Sequence, residues 1–140
     1  MNRTDFQQLT DDRIEDAKAL LEASRWSGAY YLAGYALECA LKSCVLAYVG
    51  GRPEIIFEDR QFSNKCWTHN LATLVKQADL VTQRDNATTA NAQLGTNWMI
   101  AKDWSEATRY RLSTQQQAEQ LFDAITDNSD GVLQWVKNHW

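Results

Sequence analysis

The sequence predicts an all-α fold in a single domain spanning residues 1–140, and three observations carry that expectation. Residues 29–49 form one long apolar segment whose only clearly polar members are Glu38, Lys42 and Ser43, with no proline. Six glycines and one proline in 140 residues leave little turn chemistry for a sheet protein. Apolar residues elsewhere recur at steps of three and four, the period of a helix with one buried face. A chain of this length buries a real core without disulfide or metal staples.

The long segment, residues 27–49, is expected to be the core helix. A turn of ~100° per residue places Ala29, Ala33, Ala36, Ala40 and Ala47 on one side, a small-residue surface on which another helix can lie close. Tyr31, Gly34, Glu38, Lys42 and Val45 fall opposite. The segment is long enough to cross a bilayer, but Glu38 and Lys42 lie mid-segment, where each costs ~3 kcal/mol on insertion scales, so no membrane span is expected. Buried charges are expensive unless paired, so the Glu38/Lys42 stripe must face solvent, a partner or a polar site.

Before the core helix, Thr10, Asp11 and Asp12 offer a cap for a first helix carrying Ile14, Ala17, Leu20 and Leu21. A short turn at residues 24–28 makes the two helices antiparallel neighbours. After Val49, Gly50, Gly51 and Pro53 are expected to stop the helix. About fifteen residues up to Trp67 show no period, yet Ile55, Ile56, Phe57 and Phe62 predict that this loop packs on the body. Leu71, Leu74, Val75 and Ala78 define a short helix. Ala87, Ala90, Leu94, Trp98 and Ala101 define another, bent at Gly95. Residues 105–112, SEATRYRL, read as a polar junction. Ser113 or Thr114 with Gln116 or Gln117 forms a capping box for a last helix carrying Leu121, Ile125, Val132, Trp135 and Val136, interrupted near residues 127–131.

Composition excludes several functions. A net charge of -4 and a pI near 5.1 argue against wholesale phosphate binding, so any nucleic-acid contact must be local. The N-terminal residues lack a basic stretch followed by an apolar one, and the three cysteines form no CxxC pair. A cytoplasmic protein with reduced thiols is expected. No nucleotide-loop, nucleophile-elbow or zinc-protease signature is present. His69 and His139 each stand without the companion ligands a metal site needs, so neither metal nor cofactor is expected, and both are read as structural, with His69 at a helix entrance. Trp98, Trp104 and Trp135 are read as core or interface residues, whereas Trp26 and Trp67, at loop or helix-entry positions, are candidates for stacking on a base.

Glu38 and Lys42 form an i,i+4 pair worth only ~0.5 kcal/mol on a helix. The sharper reading makes them the floor of a polar groove, with Lys42 on a phosphate and Glu38 orienting an arginine or a ribose hydroxyl, and with Arg109 and Arg111 as the residues that meet them there. The segments SGAYYLAGYALECALKS, with its E-x-x-x-K spacing, WSEATRY, and the final LQWVKNHW resemble the HEPN domain family over nearly the whole chain. The resemblance implies an antiparallel up-and-down bundle of four to five helices, a homodimer, and a site at the dimer axis. It also implies a role in toxin–antitoxin or phage-defence systems, a nucleotide or RNA ligand, and a nucleotidyltransferase-like protein partner.

Ribonuclease members of that family carry an arginine, four to six intervening residues and then a histidine that transfers protons at the ribose 2'-hydroxyl. Here Arg109 matches the arginine, but Thr114, Gln115 and Gln116 stand where the histidine belongs. Counting from Arg111 reaches Gln116, Gln117 and Ala118. Glutamine exchanges no proton near neutral pH. The expectation is therefore a binding domain without ribonuclease activity, using Glu38, Lys42, Arg109, Arg111 and Tyr31. The alternative is a metal-independent endoribonuclease that has moved proton transfer to Tyr110 or His69.

Overall fold

A computed structural model describes residues 1–140 and contains helices only. Nine α-helices occur in chain order: α1 (Arg3–Glu22), α2 (Trp26–Gly51), α3 (Ile55–Glu58), α4 (Phe62–Cys66), α5 (Leu71–Gln77), α6 (Val81–Ala90), α7 (Ala92–Lys102), α8 (Gln115–Thr126) and α9 (Val132–Lys137). A 3-10 turn, Glu106–Tyr110, separates α7 from α8.

Helix α2 is the axis of the molecule. Ala29, Ala33, Ala36, Leu37, Ala40 and Leu41 are fully or almost fully buried, and α1, α5, α8 and α9 all pack against it. Its length and composition alone would suit a bilayer, but other helices cover much of its surface. The pairing with α1 is antiparallel: Leu20 lies against Gly28, and ten residues earlier the Thr10 hydroxyl reaches the Ala36 carbonyl at 3.3 Å.

Thr10 is therefore not a cap. Helix α1 begins eight residues sooner, where Asn2 and Asp5 form a reciprocal capping box, and Thr10 is buried with its hydroxyl donating to Phe6 and Ala36. At the far end, Gly50 and Gly51 do not stop α2. They lie in open space and remain helical, and the helix ends at Arg52, the residue before Pro53, where the ring of the proline disfavours a further helical residue.

The irregular stretch contains two short helices, and only part of it packs as expected. Phe62 is buried and Ile55 rests on the core, while Ile56 and Phe57 point to solvent. Consecutive residues of one helical turn diverge by ~100°, so α3 cannot turn all three of its apolar side chains inward.

The helix expected through Gly95 is instead broken at Asn91. The Asn91 side chain caps α7 by accepting from the amides of Gln93 and Leu94, and donates to Asp130 at 2.8 Å. Gly95 serves the resulting corner: a Cβ there would sit 3.2 Å from the Thr88 carbonyl, so its absence lets α6 and α7 approach. The last helix also divides, as expected, with Thr114 and Gln117 supplying the capping box of α8.

One contact fixes the approach of the 3-10 turn to α2. Trp104 is buried, and its indole lies where a side chain on Gly34 would begin, 2.2 to 2.3 Å from the position of a Cβ. Alanine gains ~1 kcal/mol over glycine inside a helix, but overpacking a core costs ~1–3 kcal/mol. A clash at 2.2 Å with a rigid ring belongs at the upper end, so Gly34→Ala is expected to destabilise the protein by about 2 kcal/mol in urea unfolding. Its near-ultraviolet circular dichroism should change as Trp104 is displaced. Unchanged stability and an unchanged Trp signal would show that the turn does not depend on this notch.

Candidate functional site

The polar site is built outward from Glu38. Its carboxylate lies mid-way along the apolar α2, only 1 % exposed, and Lys42 one turn later donates to Oε1 at 2.7 Å. Helical periodicity alone brings these two together. The third member comes from another segment: His69 Nδ1 lies 3.0 Å from Oε1 and 3.1 Å from Oε2 of Glu38. On its other edge, His69 Nε2 is at ion-pair distance, 3.0 Å, from Glu106 Oε2 in the 3-10 turn. Glu38, His69 and Glu106 therefore form a row across three separate segments.

Local structure explains each placement. Asn70 caps α5 by accepting from the Thr73 amide, and Thr68 receives the Asn70 amide on its hydroxyl, so His69 is held between two capping residues at the helix entrance. Leu71, fully buried, anchors the next residue but one. Glu106 opens the 3-10 turn immediately after Trp104 has locked into the Gly34 notch. The reading of His69 as a helix-entrance residue is right in position and incomplete in role, because nothing in its spacing along the chain links it to residue 38.

Arg109 lies on the outer side of Glu106. Its guanidinium stands over the Tyr110 ring at 4.9 Å, and Tyr110 pushes it above its ordinary pKa, with Glu106 and Tyr31 adding to the effect. It makes no ion pair with Glu38, whose partners are Lys42 and His69. Tyr31 stacks on Tyr35 with rings 6.1 Å apart and nearly parallel, and also touches Trp104. Tyr31 thus lies between the notch and Arg109.

Arg111 turns elsewhere. Its charge acts on the Tyr30 phenol, whose pKa is raised by burial and by Asp103 and lowered by Arg111. Tyr30 and Tyr31 diverge by ~100° on α2, so Arg111 belongs to the neighbouring face and not to the row around Glu38. Tyr110 is largely exposed, as is Trp67.

The site's surroundings are chemically quiet. Burial and the adjacent Glu38 push the Cys39 thiol up to about 11, and burial pushes Cys44 to about 12, so neither supplies a thiolate near neutral pH. His69 meets one carboxylate at each ring nitrogen, which turns these donors away from a common point. No group of three His, Cys or carboxylate side chains in the chain is arranged to hold a metal ion. What the row does offer is two cations, Lys42 and Arg109, able to bind phosphate, and the half-exposed Glu106 carboxylate, able to accept from a hydroxyl, beside the buried Glu38–His69 contact. Compared with protein families, with curated proteins and with solved structures, the chain finds no match.

The coupling within the row is measurable. In a double-mutant cycle of Glu38→Gln and His69→Ala, read by urea unfolding at pH 6, the two residues are expected to couple by about 1 kcal/mol. Additive effects would mean that the contact contributes nothing to the fold.

Proposed function

We propose that the chain is a HEPN-like binding domain that takes RNA or a nucleotide at the row of polar side chains on α2, without cutting RNA. The observation that carries this reading is the buried Glu38 carboxylate, held at once by Lys42 and by His69. A folded chain that buries a charge in the middle of its core helix and then brings an imidazole to it keeps a polar site where an apolar core would be cheaper. Lys42 and Arg109 are the phosphate contacts, the half-exposed Glu106 accepts from a ribose hydroxyl, the buried Glu38 holds Lys42 and His69 in place, and Tyr31 supports Arg109. The E-x-x-x-K spacing and WSEATRY supply both ends of this site, and the resemblance they carry extends to a homodimeric bundle, a nucleotidyltransferase-like partner, and a place in toxin–antitoxin or phage defence.

Binding is favoured over cleavage because both His69 nitrogens face carboxylates, leaving no free ring nitrogen to take a proton from a 2'-hydroxyl. A specific observation nevertheless supports metal-independent cleavage as the second reading. His69 occupies the carboxylate-oriented position that a general base requires, and displacement of the half-exposed Glu106 by a substrate phosphate would free Nε2.

The test is incubation of labelled single-stranded and structured RNA with purified protein in EDTA, alongside Lys42→Ala, His69→Ala and Arg109→Ala. Binding without cleavage is expected, weakened about tenfold by Lys42→Ala and by Arg109→Ala, the loss of one charge-assisted hydrogen bond. Cleavage that His69→Ala abolishes would establish the second reading. Absence of binding to RNA and to mononucleotides would overturn both.

A further inference from the structure

Of the larger surface cavities, one is lined mainly by apolar side chains, and it adjoins the polar row. It has a volume of about 420 Å³ and is walled by Phe6 of α1, Val45 and Leu46 of α2, and Cys66 and Trp67 at the end of α4. Its polar lining is limited to Ser63 and Lys42. Lys42 belongs to both places: it lines the groove and also carries its Nζ to Glu38. Trp67 is 78 % exposed and stands two residues before His69, so one short segment supplies an open indole to the groove and an imidazole to the polar row.

We propose that this groove holds one unpaired base of single-stranded RNA, stacked on Trp67, with the adjoining phosphate at Lys42. The proposal rests on the RNA reading of the polar row and names what the rest of that site recognises. A ligand filling both compartments must be flat and apolar at one end, and anionic and hydroxylic at the other, which describes a nucleotide. A peptide strand would leave most of its backbone groups unpaired, because Ser63 and Lys42 are the only polar side chains lining the groove. Trp, with the largest π-face, is the side chain on which any base stacks irrespective of sequence. Fixing the base on α4 also sets the register of the chain: the ribose and phosphate next to it are carried along α2 toward Glu38 and His69. Base-paired RNA cannot present a base to such a groove, so single-stranded RNA is the ligand class.

The test uses the full chain and fluorescence anisotropy with a short labelled single-stranded RNA and an abasic version of the same oligonucleotide. Trp67→Ala is expected to weaken binding of the intact RNA about tenfold, and Trp67→Phe, which keeps a ring, only about twofold. The abasic oligonucleotide should bind wild type and Trp67→Ala alike. Trp67 lies at the surface, and circular dichroism of both variants verifies that they remain folded. Wild-type affinity of Trp67→Ala for intact RNA, with Lys42→Ala still impaired, would overturn the base subsite and leave the polar-row reading standing. Failure of the wild-type chain to bind any RNA would overturn that reading and this one with it. Dissociation of a dimer by Trp67→Ala would show a second copy of the chain in the groove instead. A free mononucleotide bound as tightly as the oligonucleotide would overturn the assignment to RNA.

Discussion

A carboxylate placed in the middle of a helix that the rest of the chain encloses is the constraint on which the other features depend. Glu38 is as buried as the leucines beside it, and an unpaired charge at such depth costs several kcal/mol. Lys42 answers part of that cost from the same helix. The remainder of the carboxylate's hydrogen-bonding capacity is met by His69, which obliges the entrance of α5 to lie against α2 at that level. His69 in turn faces Glu106, and so the 3-10 turn is drawn to the same place. Polar contacts to Glu38 and His69, together with the buried Leu71 and Trp104, set where these two irregular segments lie.

Shape then makes that electrostatic arrangement specific. Gly34, one turn before Glu38, is the only position on this stripe without a side chain, and Trp104 fills the space. The tryptophan arrives two residues ahead of Glu106, so seating the ring delivers the carboxylate to His69 within a narrow range of positions. Beyond it, the Arg109 guanidinium stands over the Tyr110 ring. The result leaves Lys42, His69 and Glu106 partly open to solvent around the buried Glu38 carboxylate.

Much of the fold was legible because helical periodicity is a local property. The antiparallel pairing of α1 with α2 followed from a short connection and a small-residue face, and the capping box at Thr114 followed from residue spacing. Boundaries were less legible where side chains act at long range. Thr10 looks like a cap but serves a tertiary contact with Ala36, and Asn91 breaks a helix because Asp130, far along the chain, rewards its rotation. The site was half legible for the same reason. Glu38 and Lys42 announced themselves by being charged in an apolar segment, whereas His69 and Glu106 occupy ordinary polar loops, and only folding brings them to residue 38. A search limited to the arginine–histidine spacing passes over His69, since the imidazole arrives from before the arginine. Arg111 shows the converse: two arginines separated by one residue in a turn point to different faces, and spacing alone does not say which.

The row Glu38–His69–Glu106 also has a consequence for how the molecule assembles. The contacts of α1 with α2 are formed between consecutive helices and need only a short loop to close, the kind of contact that forms early. The row, by contrast, joins His69 to residues about thirty and nearly forty positions away in sequence, and the longer of these two loops encloses α6 and α7 and the Trp104 that fills the Gly34 notch. A partly folded chain can therefore possess its central hairpin and still have no site. Any ligand that engages the complete row binds the finished structure alone and stabilises it by mass action, so occupancy and completion of folding are thermodynamically linked.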